Sequence, residues 1–441
     1  VHTSDLSAEP RSGRSIYLNR QVLPWAFWDW ASAAFNAVVT TFVFSPYLSN
    51  AELFGDRANT YLGWTLSAAG ILVALVAPAA GEWADRTGKK NSLLTVTTLA
   101  TVVCMALLFF VKPGVSYLGI GLVLLGVGNV VAEMGDVVYN SMVTDVSTPA
   151  TVGRVSGFGW GMGYVGGIIL LLVLYVGLIR PDTGWLAVES LNIRMCMLAC
   201  AAWTLIFSLP LMLTSVNSAR SGVDTRGIAG AYHEVFRSIA RLWRRDRSVV
   251  WFLISSAIYR DGLAGVFSFG GVIAAAAFGF SAGDVLIFGI VANLVAGLAA
   301  ILFGWLDDRV GSRALIIFSL VCMTLAGLAV FFFHDSGRGI FWVFGLLLSV
   351  FVGPVQSSSR AYLARLAPAG MSGQIFGLYA TTGRAVSFLA PALYSVAITV
   401  GAALAGVSRA QAAYFGIIGI VVVLVAGLIT FLFVKAPAPR R

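Results

Sequence analysis

Apolar residues arrive along this chain in long runs, broken by short polar stretches rich in glycine, proline and arginine. A bilayer core about 30 Å thick takes roughly 20 apolar residues per helix, and by that measure the pattern predicts twelve spans. They cover 24–48, 61–82, 91–111, 115–143, 152–178, 193–214, 248–278, 283–306, 313–333, 340–364, 374–401 and 412–434. The longest break, 215–247, divides them six and six. The expected organisation is a tail at 1–23, a first six-helix bundle at 24–214, a basic connection at 215–247, a second bundle at 248–434 and a tail at 435–441.

Composition agrees with an all-α membrane protein. Hydrophobic residues are 58% of 441 and charged residues 11%, with mean hydropathy +0.87, where soluble domains run near 25% charged. Residues 1–23 lack an apolar core with a small-residue cleavage site, so the first run is expected to be a retained helix. The net charge of +9 does not point to nucleic acid, because in a membrane protein the placement of basic residues matters more than their sum. Twenty-one of the 29 lysines and arginines fall in the two tails and after the even-numbered spans, and six after the odd-numbered ones. That places both termini in the cytoplasm of a multi-pass protein of the cell inner (plasma) membrane. The seven arginines of the central connection read as a segment lying on an anionic leaflet. The four cysteines sit in apolar runs and read as small buried hydrophobes, with no metal site implied.

Two stretches recur across the central connection. GEWADRTGKK (81–90) and GWLDDRVGSR (304–313) share G-x-x-x-D-R-x-G, 223 residues apart; GRVSGFGWGMG (153–163) and GQIFGLYATTG (373–383) share three glycine positions, 220 residues apart. Two matches at nearly one offset, each at the equivalent helix of its half, predict duplicated six-helix units in parallel orientation. Asp85 can sit near a helix N-terminus, where the dipole favours negative charge. Arg86, Lys89 and Lys90 are expected to hold the loop at the inner leaflet.

The G-x-x-x-D-R-x-G-K-K loop after the second of twelve helices resembles the signature of the major facilitator superfamily, over nearly the whole chain. The resemblance implies that Gly81, Asp85, Arg86 and Gly88, with Asp308 and Arg309 in the second copy, lock the two halves together on the cytoplasmic side. WDWASAAF, YNSMVTDV, YRDGLAGVF, GPVQSSSRAYLARLAP and SGFGWGMGYVGG look like the vacuole-effluxer branch, whose eukaryotic members are linked to amino-acid export from the vacuole. Ser32 stands where that pattern carries asparagine.

Ionisable groups within the spans are the candidate chemistry. A charge at a helix centre costs about 2.5–3.5 kcal/mol on insertion scales, so such groups usually face the bundle interior. Trp25, Asp29, Ser32 and Asn36 share one face of the first helix, and Asn129, Glu133, Asp136 and Asn140 repeat that spacing in the fourth. Two matching stripes predict two walls of one aqueous passage. At about 1.5 Å per residue, Asp29 lies ~8 Å from its helix start, Glu133 and Arg384 ~15 Å in, and Arg260 and Asp261 ~18–20 Å in. Arg260 and Asp261 point about 100° apart, so one is expected to line the passage while the other pins helix 7. Gly262 and Gly265 would let that helix bend. Seven glycines between 153 and 167 read as close helix packing. Gln356 and the three serines after it either line the passage or bond to backbone. Tyr139 and Tyr259 complete the candidate set. His233 and His334 lie outside the core, which leaves any proton coupling to carboxylates.

The expectation is a secondary transporter that rocks its halves around a midplane site. Glu133 is the first candidate for the protonated group, and Arg260 or Arg384 for the cation that meets a substrate anion. A site of both signs suits an amino-acid-like zwitterion, exported against protons or another ion by a monomer. The alternatives are an exporter of amphipathic or lipid-like molecules, which the 12 Trp, 13 Tyr and 29 Phe would tolerate, and a transport-inactive membrane scaffold or sensor. No nucleophile–base pair, metal-ligand set or P-loop is visible, so neither an enzyme nor a cofactor is expected.

Overall fold

A computed structural model describes residues 16–180, 188–214, 247–409 and 411–435. The basic connection up to Arg247, His233 and most of both tails lie outside the described residues. Among the described residues, twelve helices are long and apolar enough to cross a membrane: α1 Val22–Leu48, α2 Ala58–Thr87, α3 Lys90–Leu108, α4 Val115–Val146, α5 Val152–Ile179, α6 Val188–Leu213, α7 Arg247–Phe278, α8 Gly283–Val310, α9 Ser312–Phe332, α10 Arg338–Leu366, α11 Ser372–Ala405 and α12 Ala413–Leu432. No strand occurs among the described residues. The expected spans are found within a few residues. One consistent shift is that α2 and α8 continue through the polar G-x-x-x-D-R sequence, since charged residues at a helix end lower hydropathy without breaking backbone hydrogen bonds. The anticipated gating loop is therefore mostly helix, closed after Thr87 by Gly88 in the left-handed conformation (φ +65°).

The halves meet at the end bearing the termini, along two glycine-lined crossings. Where α2 meets α11, a Cβ on Gly81 or Gly373 would overlap the other's carbonyl oxygen; where α5 meets α8, a Cβ on Gly157 would overlap the Ala300 carbonyl. Backbones this close gain dispersion contacts that any larger side chain would forfeit. Gly373→Val is expected to spread this end. The check is faster maleimide labelling of a Thr144→Cys reporter, which lines a cavity of about 240 Å³ at the seam.

At the far end, Ala34–Phe42, Tyr175–Ile179, Phe341–Gly345 and Leu389–Ala405 pack on helices of their own half. Three of these stretches are π-helix, and for the first the sequence holds a reason. Pro46 cannot donate to the Phe42 carbonyl and crowds it, and α1 widens into a π-helix over Ala34–Phe42. There the hydroxyls of Thr40 and Thr41 both donate to the Asn36 carbonyl at 2.7 Å. Pro391 likewise breaks α11 at Ser387–Phe388.

Helix α7 is continuous over Arg247–Phe278. Gly262 and Gly265 admit close neighbours: a Cβ on them would lie 2.8 Å from Leu424 and 3.0 Å from Ala390. The glycines of α5 pack as expected, Gly159 and Gly163 making room for the polar groups described next.

Candidate functional site

Asp29 of α1 accepts a hydrogen bond from the Tyr139 hydroxyl of α4 at 3.1 Å and faces Arg360 of α10, whose Nη1 lies 3.5 Å away. Arg360 is 2% exposed, although its place near the end of α10 marked it as an inner-leaflet charge. The second half thrusts this guanidinium into a cage built by the first. Its Nη1 donates to Asn140 Oδ1 at 2.9 Å, its Nε to Ser156 Oγ at 2.9 Å and its Nη2 to the Ser156 carbonyl at 2.7 Å. Trp25, Tyr139 and Trp160 surround it, with ring centroids 4.8, 5.5 and 5.6 Å from Cζ. Cation–π attraction of this kind is strongest when the cation is dry. Helical spacing builds the cage, since Trp25 and Asp29, and Ser156 and Trp160, are each four apart on one face. Gly159 leaves the room: a Cβ there would stand 2.7 Å from Trp25 and 2.8 Å from Arg360 Nη2.

A second pair crosses the seam one helical region further out. Glu133 of α4 is bonded to Arg384 of α11, and their side chains are 23% and 34% exposed. Asp136, one turn along α4, has no hydrogen-bond donor on its carboxylate among the described residues. On α7, Arg260 lies over the Tyr379 ring, with Cζ 3.8 Å from the centroid, and donates to the Tyr379 carbonyl at 3.2 Å. No carboxylate pairs with Arg260 among the described residues. Its neighbours divide as their divergent directions require. Tyr259 is buried and shares a 2.7 Å hydrogen bond with Ser359. Asp261 accepts from the Ala390 N–H at 2.6 Å, capping the α11 segment that restarts after the break. That bond ties α7 to the start of the second segment of α11. Gln356 is half-buried on α10, Ser357 donates to the Pro354 carbonyl, and Asn36 is exposed at the far end.

The repeated motif closes the terminal end twice. Asp85 accepts from the Gln374 N–H at 2.9 Å, at the start of α11, so the helix dipole it meets belongs to the opposite half. Asp308 accepts from the Gly153 and Arg154 N–H groups at 2.8 and 3.1 Å, at the start of α5, and from Arg154 Nε at 2.8 Å. Lys90 is buried between Asp85 at 3.4 Å, Asp145 at 3.0 Å and the Ser372 hydroxyl at 2.8 Å, which corrects its expected leaflet role. Arg365 bridges Asp307 and Asp308 and donates to the Pro149 carbonyl at 3.1 Å. Arg86 lies 4.0 Å from Glu82 on its own helix, and Arg309 stacks on Trp305 at 3.5 Å; in each copy the aspartate makes the lock and the following arginine braces its own helix.

Residues 144–440 match the family described as "Vacuole effluxer Atg22 like", and residues 3–171 match the Major Facilitator Superfamily. The chain belongs to the Atg22-like vacuole effluxer family. It is therefore a multi-pass membrane transporter of the major facilitator fold, and not an enzyme. Among its relatives, the MFS-type transporter YxiO of Bacillus subtilis is 24% identical over 94% of this chain and 95% of its own length. Autophagy-related protein 22-1 of Neosartorya fischeri is 23% identical over 57% of this chain but only 45% of its own. The solved proton:xylose symporter XylE superposes with a TM-score of 0.73 at 13% identity, covering 95% and 96% of the two chains. A bacterial homologue of the iron transporter ferroportin, in its outward-facing state, superposes with a TM-score of 0.66 at 13% identity, covering 95% and 99%.

In this transporter, reading the sequence missed Arg360, Ser156, Trp160, Lys90 and Arg365. One signal was available for the first: Arg360 stands six residues from the end of α10 and Asp29 seven from the start of α1, about 9–11 Å deep at 1.5 Å per residue. Opposite charges at one depth on facing helices are candidates for each other.

Proposed function

We propose that this transporter exports a small polar or zwitterionic solute, amino-acid-like, across the plasma membrane in exchange for protons. The arrangement that supports this best is two halves locked at the terminal end, with two arginine–carboxylate pairs across their seam and a third arginine, Arg260, paired with no carboxylate among the described residues. The excess of basic residues in the loops at the locked end favours the cytoplasmic side for it, which supports reading this arrangement as closed to the inside. The solute's carboxylate takes Arg260, and its ammonium faces the acid-bearing side of α4. Glu133 then serves two competitors: a proton from outside, or the ammonium arriving from inside. Either one frees Arg384 and loosens the seam, and the two cannot be held together, which gives exchange. The effluxer family supports the direction, and the cage around Arg360 gives the halves a contact to break and remake.

The test is transport by purified protein in liposomes loaded with candidate amino acids. An imposed pH step should drive solute against its gradient. Glu133→Gln should abolish that drive while solute–solute exchange persists. A Glu133→Gln protein that concentrates solute as well as wild type would remove Glu133 from the coupling.

A further inference from the structure

Arg260 on α7 and Arg360 on α10 belong to the same half, and a chain of hydroxyls lies between them. Arg260 rests over the Tyr379 ring, its Cζ 3.8 Å from the centroid, in room left by Gly383, where a Cβ would stand 3.2 Å from Nη1. The hydroxyl of that ring is within reach of the Ser359 side chain. Ser359 also shares a 2.7 Å hydrogen bond with the Tyr259 hydroxyl, and both residues are buried. The next residue on α10 is Arg360. Neighbours on a helix point about 100° apart, so Ser359 faces α7 and α11 of its own half while Arg360 crosses into the cage of the other.

Holding Arg260 does not by itself require the Tyr379 hydroxyl. A phenylalanine face also attracts a guanidinium, and Phe252 already lies parallel to the ring, with centroids 6.2 Å apart. A hydroxyl taken into a dry interior is costly unless it finds a partner, and here the partner is the residue beside Arg360. The end of α10 extends the path. Ala364 and Arg365, about one turn beyond Arg360, wall the cavity of about 240 Å³ that Thr144 lines at the locked seam. A shift of α10 at Ser359 would therefore reach both the cage and that wall.

We infer that Tyr379 and Ser359 are positioning residues that couple Arg260 to the Arg360 cage. A group that draws the guanidinium off the Tyr379 face frees the ring, and the ring's hydroxyl carries the change to Ser359 and so to Arg360. The inference rests on the transport reading above only for what draws Arg260 away. A chain of contacts is a coupling only when its ends respond to each other, and substitution supplies the displacement without a solute.

The experiment is a double-mutant cycle on the purified full chain carrying Thr144→Cys, without solute, read as the rate of maleimide labelling above that of protein lacking the reporter. Arg260→Ala should speed labelling roughly three- to tenfold, within the range of coupled neighbours. Combined with Tyr379→Phe, which keeps the ring and removes the hydroxyl, the same change should add less than about twofold, the scatter of independent sites. Ser359→Ala should erase the effect of Arg260→Ala as well, and Ser359→Thr, which retains a hydroxyl, should preserve it. Because Ser359→Ala also strips Tyr259 of its partner, the Tyr379→Phe cycle decides the outcome if that variant fails to fold. Arg260→Ala that speeds labelling equally with and without Tyr379→Phe, or leaves it unchanged, would overturn the coupling. An equal loss of acid and ester ligands in Arg260→Ala would instead remove Arg260 as the solute's anchor and leave this cycle untouched, so the two readings fail separately.

Discussion

Arg360→Ala is expected to cut transport about a hundredfold or more and to lower the melting temperature of the purified protein by several degrees. The guanidinium makes four polar contacts and lies within cation–π range of three rings, all on the opposite half. Removing one partner of a buried pair costs about 3–5 kcal/mol because the other charge is left stranded, and each ~1.4 kcal/mol is tenfold in an equilibrium. Here the stranded group is Asp29, with the Asn140 and Ser156 oxygens left without their donor. Arg360→Lys should rescue little: an ammonium cannot reach Ser156 and Asn140 at once and loses the planar stacking. Pairing the change with Asp29→Asn should recover part of the melting temperature but not the transport, since it removes the stranded charge without restoring the contact between halves. Circular-dichroism melts and liposome flux on the three variants check this. A single Arg360→Ala protein with wild-type flux would show that the contact is dispensable.

Arg260→Ala is expected to weaken ligands bearing a carboxylate by roughly 10- to 100-fold, following the 1.5–3 kcal/mol of a hydrogen bond to a charged group. The same variant should leave the matching methyl esters or amides nearly unchanged. The reason is the contrast between the two deep arginines. Arg384 is already neutralised by Glu133, whereas Arg260 pairs with no carboxylate among the described residues and lies on the face and carbonyl of Tyr379. Binding measured by thermal shift against acid and ester pairs separates the outcomes, and an equal loss for both would reduce Arg260 to a packing role. Arg384→Ala, by contrast, should affect ligands of both kinds, because it frees Glu133 whatever the solute carries.

The twelve spans and their duplication were legible because a bilayer forces one coarse rule on every helix, and because G-x-x-x-D-R-x-G occurs twice at one offset. The acids were legible too, since a carboxylate in an apolar run is conspicuous. What escaped was the partner of each. Arg360 was hidden by the rule that sorted the other cations, because a basic residue near a helix end normally reaches the leaflet. Asp261 looked like its neighbour Arg260, and only the break that Pro391 makes in α11 gives it a free N–H to accept. Lys90 follows a run of loop-like residues, and its burial depends on Asp145 and Ser372, which are remote in sequence. Such long-range pairings are set by how helices cross, and hydropathy carries no record of crossing.

The most direct measurement is a pair of spin-label distances across the halves by double electron–electron resonance, with labels at Ala150 and Ala369 on the terminal end and at Ala51 and Ala405 on the far end, all exposed. The structure holds the first pair of segments together through Asp85, Asp308, Lys90 and Arg365. In Asp85→Asn/Asp308→Asn protein the terminal-end distance should lengthen while the far-end distance shortens. Two distances that stay fixed, or that lengthen together, would contradict a passage that opens at one end by closing at the other.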